Sequence, residues 1–468
     1  MKQSATKTVA TYTADSRRPP QEVVKQAKLH IVDTLACIYA GTGTDAVRIL
    51  AVTNSWAGTP TDIPVPGWGY AKTLDGAAEL LGTAAHAHDF DDTSFKTILH
   101  PSASIVASLL ATAIALSGNH AKEPTGLDFI HSYVKGMEVA CKVGEILGDD
   151  LTDQPFHTIS TLGLLGAAVA CASLRGLDAG KSEVALAIAC SHAGGILNNC
   201  GTMVKPLHCG LSARGAYMAA ALAENRFTAI TDALEGSYGF FNAVTGGRRS
   251  DIELPSIDMR GTDLPPLTGE HFEIVNPGIE VKRYPCCQVA HTGIDGMRKL
   301  REREGFDIGK VEKIVCYVSS EKRISYLHCP DAKTPTEARF SMNFAVATAA
   351  LYGDVTLDHF NKDLLASKDF RQLMALVEMR LQDKSEEDAV DIEVIFKDGR
   401  RMSERGTYKP VTWDDIVSKF NSCMGHACQP DDPKPILAVL EKLDVQKDIS
   451  GIFLRGIDLH VNPGRWLP

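Results

Sequence analysis

The sequence lacks the segments that would send it into or across a membrane. Residues 1–18 carry four basic side chains but no apolar core of signal-peptide length. The longest apolar stretch, residues 103–116, is too short to span a bilayer and is interrupted by hydroxyl side chains. We therefore expect a cytoplasmic protein.

Several signatures of metal and cofactor chemistry are also missing. None of the 12 cysteines forms a CxxC pair, so a zinc ribbon, an iron–sulfur cluster and a thioredoxin-type redox pair lack support. Several cysteines lie in apolar segments, which predicts reduced, buried thiols. Cys423 and Cys428 flank His426, but without a second cluster this favours free thiols. The chain has no phosphate loop, no dinucleotide fingerprint and no GxSxG elbow, so hydride and phosphoryl transfer are not indicated.

A surplus of basic residues is absent as well. The 48 Lys and Arg stand against 58 Asp and Glu, which gives a net charge of −10. Such a chain repels nucleic acid and anionic lipid at long range, so neither is an expected partner. An anionic small molecule can still bind in a locally basic pocket. The 468 residues and 44% hydrophobic content suit a folded protein of two to three domains that needs no disulfide or metal.

The first half has the pattern of a helical bundle. In residues 19–41, apolar side chains recur at three- and four-residue spacing, which predicts an amphipathic helix. Four further stretches have helix length, few charges and many small residues, as in helices that pack closely on most sides. These stretches are residues 101–117, 158–174, 182–197 and 211–223. Polar motifs stand at the ends of these predicted helices.

The pattern changes after about residue 265. Residues 263–268 contain two prolines and predict a boundary loop. Alternating apolar residues predict strands at 311–318 and 390–396, and Asp398–Gly399 predicts a hairpin into 401–408. Helical spacing returns over 413–443, with Pro435 near a helix start. We expect a mainly α protein: a large all-helical domain from residues 1–268 and 406–468, with a smaller α+β domain, residues 269–405, inserted.

An acidic cluster follows the predicted helix that ends near residue 86. Asp89, Asp91 and Asp92 lie within four residues, and His100 and Ser102 begin the next apolar helix. Neighbouring carboxylates repel, so a fold that keeps them together solvates them, binds a cation or raises a pKa for proton transfer. A solvated acidic loop and a functional cluster both remain open. Free backbone amides beside His100 would favour an anion.

Two further clusters precede apolar helices. His157 is either a neighbour of a helix cap or a functional group. Lys205 and His208 open the next helix in apolar surroundings. A buried ammonium is costly unless it meets an anion, which makes Lys205 the strongest functional candidate.

The remaining motifs are weaker on their own. Residues 282–283 are a basic pair whose simplest interpretation is a solvated face, and residues 286–287 are vicinal cysteines that favour packing. Tyr326 and Arg339 add to a candidate pocket lining. Together the clusters supply carboxylate, imidazole, ammonium and phenol groups, which suit proton transfer next to carboxylates.

Six strings, in order, resemble the MmgE/PrpD family: HAHDFDDT, LHPSASIV, STLGLLGAA, MVKPLHCGLSARG, KRYPCCQVAH and EARFSMNFAVATAAL. The likeness extends from about residue 23 to the C-terminal helices. The family includes 2-methylcitrate and alkylcitrate dehydratases, cis-aconitate decarboxylases and an iminodisuccinate epimerase. The resemblance implies a homodimer without cofactor or metal, in which the inserted domain is a lid and the active site lies between the domains.

The resemblance also implies which residues form the site. We expect catalytic roles for Asp89, His100, His157 and Lys205, and substrate binding by Thr93, His208, Lys282 and Tyr326. Three departures leave the subfamily open: an insertion between Thr93 and His100, Cys287 where animal-type decarboxylases carry a histidine, and no tryptophan-containing pattern before the HPS string.

The leading hypothesis from the sequence is dehydration of a 2-methylcitrate or alkylcitrate-type polycarboxylate, with one histidine protonating the leaving hydroxyl. The alternatives are decarboxylation of cis-aconitate to an itaconate-type product, an epimerase of the same family, and a silent relative that binds a tricarboxylate. The reactions share one difficulty, because negative charge develops on a carbon beside a carboxylate. Cations must therefore face that carbon.

Overall fold

The computed structural model describes residues 4–55, 63–118, 123–247, 272–382 and 389–449. Helices dominate these ranges, and strands form two small sheets. The predicted mainly α class is confirmed.

The first part of the chain supplies eleven helices within the described ranges. They are α1 Ala5–Ala14, α2 Gln21–Thr42, α3 Asp45–Ser55, α4 Leu74–His86, α5 Pro101–Gly118, α6 Gly126–Leu147, α7 Asp149–Thr152, α8 Leu162–Leu174, α9 Ala179–His192, α10 Val204–Glu224 and α11 Phe240–Val244. Most pack into one apolar core.

Glycine contacts bring α4 and α10 close together. A Cβ at Gly82 would lie 2.8 Å from the Cys209 carbonyl oxygen, and one at Gly210 would lie 2.5 Å from that of Glu79. Larger residues would force the two backbones apart. The close packing matters for the site, since α4 ends at His86 and α10 begins one residue before Lys205.

The structure corrects the predicted first half at three points. Residues 63–71 form an antiparallel hairpin, β1 Ile63–Val65 and β2 Gly69–Ala71, so this half is not all-helical. The predicted helix over 158–174 is a 3₁₀ turn at Thr158–Ser160 followed by α8. The predicted helix over 182–197 already ends at His192, because the chain turns at Gly194 and Gly195.

The second part of the chain contains a four-stranded sheet. Its strands are β3 Val311–Val318, β4 Val377–Leu381, β5 Val390–Phe396 and β6 Arg401–Gly406, in the order β4-β3-β5-β6. β4 runs parallel to β3, and the other pairs are antiparallel. The predicted hairpin is present, with Gly399 at φ 82°. β4 was not predicted, because only Val377 of its five residues is buried and the strand shows little alternation.

Eight helices accompany or follow this sheet. They are α12 His291–Arg301, α13 Glu321–Tyr326, α14 Pro335–Ala338, α15 Met342–Tyr352, α16 Lys362–Ala366, α17 Lys368–Ala375, α18 Trp413–Met424 and α19 Pro433–Leu440. α12 and α15 contribute to a second apolar core with the sheet, whereas α18 and α19 bury side chains in the first core. α19 begins at Pro433, so Pro435 lies in its first turn, as predicted.

The domain bounds 1–268, 269–405 and 406–468 stay a prediction, and the loop predicted at 263–268 lies outside the described residues. Among those residues, no single helix has the length and apolar character needed to cross a membrane. The sharply bent pair Gln21–Thr42 and Asp45–Asn54 meets the criterion jointly, by length and composition only.

Candidate active site

The centre of the site is the buried carboxylate of Asp89. Asp89 follows α4 in a turn with φ 51°, a backbone conformation that residues other than glycine rarely adopt. Its Oδ1 lies 2.5 Å from Lys205 Nζ, and its Oδ2 and carbonyl oxygen each lie 2.8 Å from Lys282 Nζ. Burial alone would raise the pKa of Asp89, but the two ammonium groups hold that pKa well below its usual range. Asp89 is therefore ionised.

Lys205 stays charged although only 5% of it is exposed. Burial lowers its pKa, and the adjacent Asp89 carboxylate outweighs burial so that the pKa is raised. Besides Asp89, its ammonium contacts His86 Nε2 at 2.7 Å and lies 5.1 Å from the centre of the Phe340 ring.

His86 joins Lys205 to a second carboxylate. Its Nδ1 is 2.9 Å from both oxygens of Asp91. An ionised carboxylate only accepts hydrogen bonds, so we assign the ring proton to Nδ1. Nε2 then accepts a hydrogen bond from the Lys205 ammonium. Asp91 and His86 thus orient Lys205.

His100 directs its ring nitrogen Nε2 toward the Asp89 carboxylate. Its Nδ1 lies 2.9 Å from the Asp92 carbonyl oxygen and 3.2 Å from Thr93 Oγ1. The carbonyl requires a donor, so Nδ1 carries the proton and Nε2 holds a lone pair. Nε2 is 4.0 Å from Asp89 Oδ1, and the His100 ring centre is 4.7 Å from that of His86.

His157 and His208 form a proton-sharing pair. Their Nδ1 atoms are 3.2 Å apart, so one donates and the other accepts. The His157 ring lies 5.6 Å from that of His86 and 5.4 Å from that of His208. The backbone of His157 is held by the Gly195 carbonyl, which its N–H contacts at 3.0 Å.

All four imidazoles have lowered pKa values. Burial is the largest cause at each ring, and the positive charge of Lys205 or Lys282 follows it. The rings are therefore neutral near pH 7. Among the charged groups, a lysine makes the largest contribution at each ring.

One group in the site has the spacing of metal ligands. Donor atoms of His86, Asp89 and His100 lie within 4.8 Å of one another, and no other such group occurs in the described ranges. The Lys205 ammonium already contacts two of these donors, and Lys282 adds a second positive charge. Both would repel a divalent cation. All 12 cysteines are free, as predicted.

The structure rules out two of the simpler sequence interpretations. Asp89, Asp91 and Asp92 are buried, so the acidic cluster is not a solvated loop. Asp92 accepts hydrogen bonds from the Ser102 amide and hydroxyl and lies 2.8 Å from His30 Nδ1. Lys282 is only 1% exposed, so it does not belong to a solvated face.

The structure brings seven of the eight predicted site residues into one connected set: Asp89, Thr93, His100, His157, Lys205, His208 and Lys282. The eighth, Tyr326, lies half-buried on α13. Burial and the nearby Cys287 raise its pKa to about 12.

Sequence reasoning assigned no role to His86, although it begins the first motif, and treated Arg339 only as pocket lining. Arg339 Nε donates to the His88 carbonyl at 2.9 Å, and Nη2 contacts His88 Nδ1. Arg339 therefore anchors the backbone immediately before Asp89. A histidine at a helix end, followed within five residues by an aspartate, was the available signal for His86.

Comparison with known proteins identifies the family of the chain. The family model for the MmgE/PrpD N-terminal domain matches residues 5–253, and that for the MmgE/PrpD C-terminal domain matches residues 284–444. A cis-aconitate decarboxylase of Mus musculus is 27% identical over 450 residues, covering 92% of this chain and 88% of the relative. The Homo sapiens protein of that name is 27% identical over 456 residues, covering 92% and 89%. One from Aspergillus terreus (strain NIH 2624 / FGSC A1156) is 25% identical over 457 residues, covering 92% and 91%. The first family model alone spans more than half of the chain, and the resemblance seen in the sequence motifs is confirmed: the chain belongs to the MmgE/PrpD family.

Proposed function

We propose that the protein is a carbon lyase that releases carbon dioxide from cis-aconitate, or from a closely related unsaturated tricarboxylate, to give an itaconate-type product. The observation that carries the proposal is the buried Asp89 carboxylate held between the Lys205 and Lys282 ammonium groups, beside neutral histidines. The similarity to cis-aconitate decarboxylases favours this reaction over the dehydration expected first from the sequence.

The Lys205 and Lys282 ammonium groups can stabilise the negative charge that develops when carbon dioxide leaves. When the carbon–carbon bond to one carboxylate breaks, the electron pair stays on the remaining carbon and is delocalised toward a neighbouring carboxylate. A buried ammonium stabilises that charge more strongly than water would. Asp89 and His86 occupy two of the three hydrogens of Lys205. The third is available to a substrate carboxylate.

The reaction balances with one proton. A tricarboxylate and one proton give a dicarboxylate and carbon dioxide, so an acid must protonate carbon. His100 and His157 are the candidate proton carriers: the neutral ring takes up a solvent proton, transfers it to carbon as an imidazolium and returns to the neutral form, and each ring lies beside another imidazole. The sharing of a proton between His157 and His208 offers a route for replacing the one consumed.

Dehydration of a 2-methylcitrate-type substrate is the second candidate. The same site combines neutral imidazoles, which can remove a proton, with ammonium groups, which can protonate a leaving hydroxyl.

From the family membership we also propose a cytoplasmic homodimer that needs no cofactor or metal, with residues 269–405 as a lid.

The decisive assay is incubation of the purified protein with cis-aconitate and, separately, with 2-methylcitrate in deuterated water. Decarboxylation is expected to release carbon dioxide and to place one solvent deuteron on carbon in a product that has lost a carboxylate. Loss of water from 2-methylcitrate alone would favour the second candidate. Deuterium uptake without a new product would indicate an epimerase, and binding without turnover would indicate a silent relative.

A substitution of Lys205 tests the role of the cation. Loss of one preorganised electrostatic donor typically costs about 3 kcal/mol, so Lys205→Ala should lower kcat on the order of hundreds-fold. The matched control is Lys310→Ala, since the Lys310 side chain is 66% exposed and pairs with its neighbour Asp307 at 3.3 Å. Retained activity in a folded Lys205→Ala variant would contradict the proposal.

A further inference from the structure

A further lysine, Lys419, contacts the backbone beside the Asp89–Lys282 ion pair. Lys419 on α18 has a side chain that is 7% exposed. Its Nζ lies 2.6 Å from the Phe90 carbonyl oxygen, 3.0 Å from the Lys282 carbonyl oxygen and 2.6 Å from Asp33 Oδ1. The two carbonyls accept hydrogen bonds from the ammonium, and Asp33 is its opposite charge.

The two carbonyls belong to the two segments that form the centre of the site. Phe90 follows Asp89 directly, and Lys282 is itself the second cation. Neither segment is helical or extended at these residues, so regular backbone hydrogen bonds do not fix their separation. A single backbone bridge joins them nearby, between Thr93 and Glu280 at 2.8 and 2.9 Å. Lys419 supplies a second tie between the two segments, next to the ion pair.

Burying the Lys419–Asp33 ion pair costs free energy, so stability alone does not explain it. Asp33 on α2 is fully buried, and burial raises its pKa to about 6 against the opposing charge of Lys419. A buried ion pair is often no more stabilising than apolar side chains of similar size. The Lys419 ammonium also lies 3.7 Å from the centre of the Phe90 ring, which helps to hold that residue in place.

We propose that Lys419 is a positioning residue of the active site, which clamps the backbone at Phe90 and Lys282 so that the Lys282 ammonium faces the Asp89 carboxylate. It acts through these residues and does not touch substrate. The kinetic test of this inference rests on the proposed function. Misplacement of a reacting group by about 1 Å can cost on the order of a hundredfold in rate.

The test compares variants that differ only in the clamp. Asp33→Asn removes the counter-ion and leaves Lys419 on both carbonyls, so its kcat should stay within about twofold of wild type. Asp33→Asn combined with Lys419→Met removes the clamp without leaving a buried charge. Its kcat, measured per folded molecule, should fall about 10- to 100-fold, with KM changing less. Lost stability alone would lower the folded fraction and not this kcat.

A second variant covers the case in which the double variant does not fold. Lys419→Arg keeps the charge and the partner Asp33, but its larger, planar guanidinium cannot direct hydrogens at both carbonyls from the position of the ammonium. We expect kcat to fall at least about tenfold while the melting temperature stays near that of wild type. If kcat stays within twofold in either Lys419 variant, or falls equally in Asp33→Asn, the positioning role is refuted.

A crystallographic comparison separates this inference from the proposed function. If wild type turns over neither tricarboxylate, the proposed function fails, but the clamp can still be measured. The crystal structures compared are those of Asp33→Asn and of the double variant, or of Lys419→Arg if the double variant does not fold. Where Lys419 is replaced, Lys282 Nζ should lie beyond hydrogen-bonding distance of Asp89 Oδ2. In Asp33→Asn that distance should be unchanged. An unchanged distance where Lys419 is replaced would overturn the inference.

Discussion

Replacing Asp89 with asparagine removes the one carboxylate that both site ammonium groups contact. The distances are 2.5 Å to Lys205 and 2.8 Å to Lys282, and all three side chains are at most 7% exposed. Removal of one partner from a buried ion pair typically costs about 3–5 kcal/mol, because the remaining charge is left uncompensated. Here two charges lose their partner, so we expect a loss at the upper end of that range. The melting temperature should fall on the order of 10 °C.

The pH dependence of this loss has a definite sign. The folded pKa of Asp89 is lowered, so its contribution to stability is fully present above its unfolded pKa of about 3.9 and is lost as the pH falls through the folded value. The stability difference between wild type and Asp89→Asn should therefore be constant between pH 6 and 8. It should shrink below about pH 4.

Thermal unfolding followed by circular dichroism measures the effect. Asp331→Asn is the matched control, since Asp331 is 69% exposed and contacts Lys333 and Arg371 at the surface. Such an exposed pair contributes little to stability. Citrate, used as a tricarboxylate probe, should raise the melting temperature of Asp89→Asn more than that of wild type, because the anion replaces the missing charge. A melting temperature for Asp89→Asn within 1 °C of wild type at pH 7.5 would refute the electrostatic account of the site.

Two further substitutions test other parts of the structure. Gly195→Ala should lower kcat at least tenfold, because φ is +102° and the added Cβ would overlap Ser160 Oγ and lie 3.3 Å from His208 Cδ2. Steady-state kinetics on the folded variant measure the effect. An unchanged kcat would argue against a tightly packed His208. Burial raises the pKa of Glu138 to about 7. The folded state therefore keeps a proton that the unfolded state loses near pH 4.3, and the contribution of Glu138 to stability falls as the pH rises between those two values. The stability of Glu138→Gln relative to wild type should therefore rise with pH in melting curves recorded from pH 4.5 to 7.5, and a difference that does not change with pH would contradict the assignment.

The sequence was most informative where a polar motif met a helix end. Lys205 was identified because an ammonium within an apolar helix start requires an anion, and the structure supplies Asp89. The spacing of apolar residues also predicted the mainly helical class, and Asp398–Gly399 predicted the hairpin in the sheet. These features depend on local spacing, which a single sequence contains.

The rest depends on contacts between segments far apart in the chain. Lys282 carries a local pattern typical of a solvated face, and it is buried only because Asp89, 193 residues away, receives it. Lys419 lies on an amphipathic helix among other polar residues, where nothing distinguishes it from a surface lysine. Its partners Asp33 and Phe90 come from the opposite end of the sequence. Neither burial could be deduced without the fold.

The charge of the whole chain and the charge of the site have opposite consequences for a polyanion. A net charge of −10 repels a tricarboxylate at distances shorter than the screening length of the salt. Inside the site the imidazole pKa values are lowered by burial and then by the ammonium groups, whereas a site dominated by its aspartates would raise them. Affinity for an anion must therefore come from short contacts made after the substrate has left water, where Lys205 and Lys282 act at low dielectric. The same contacts would stabilise the charge that develops on carbon, so binding and catalysis draw on one pair of cations.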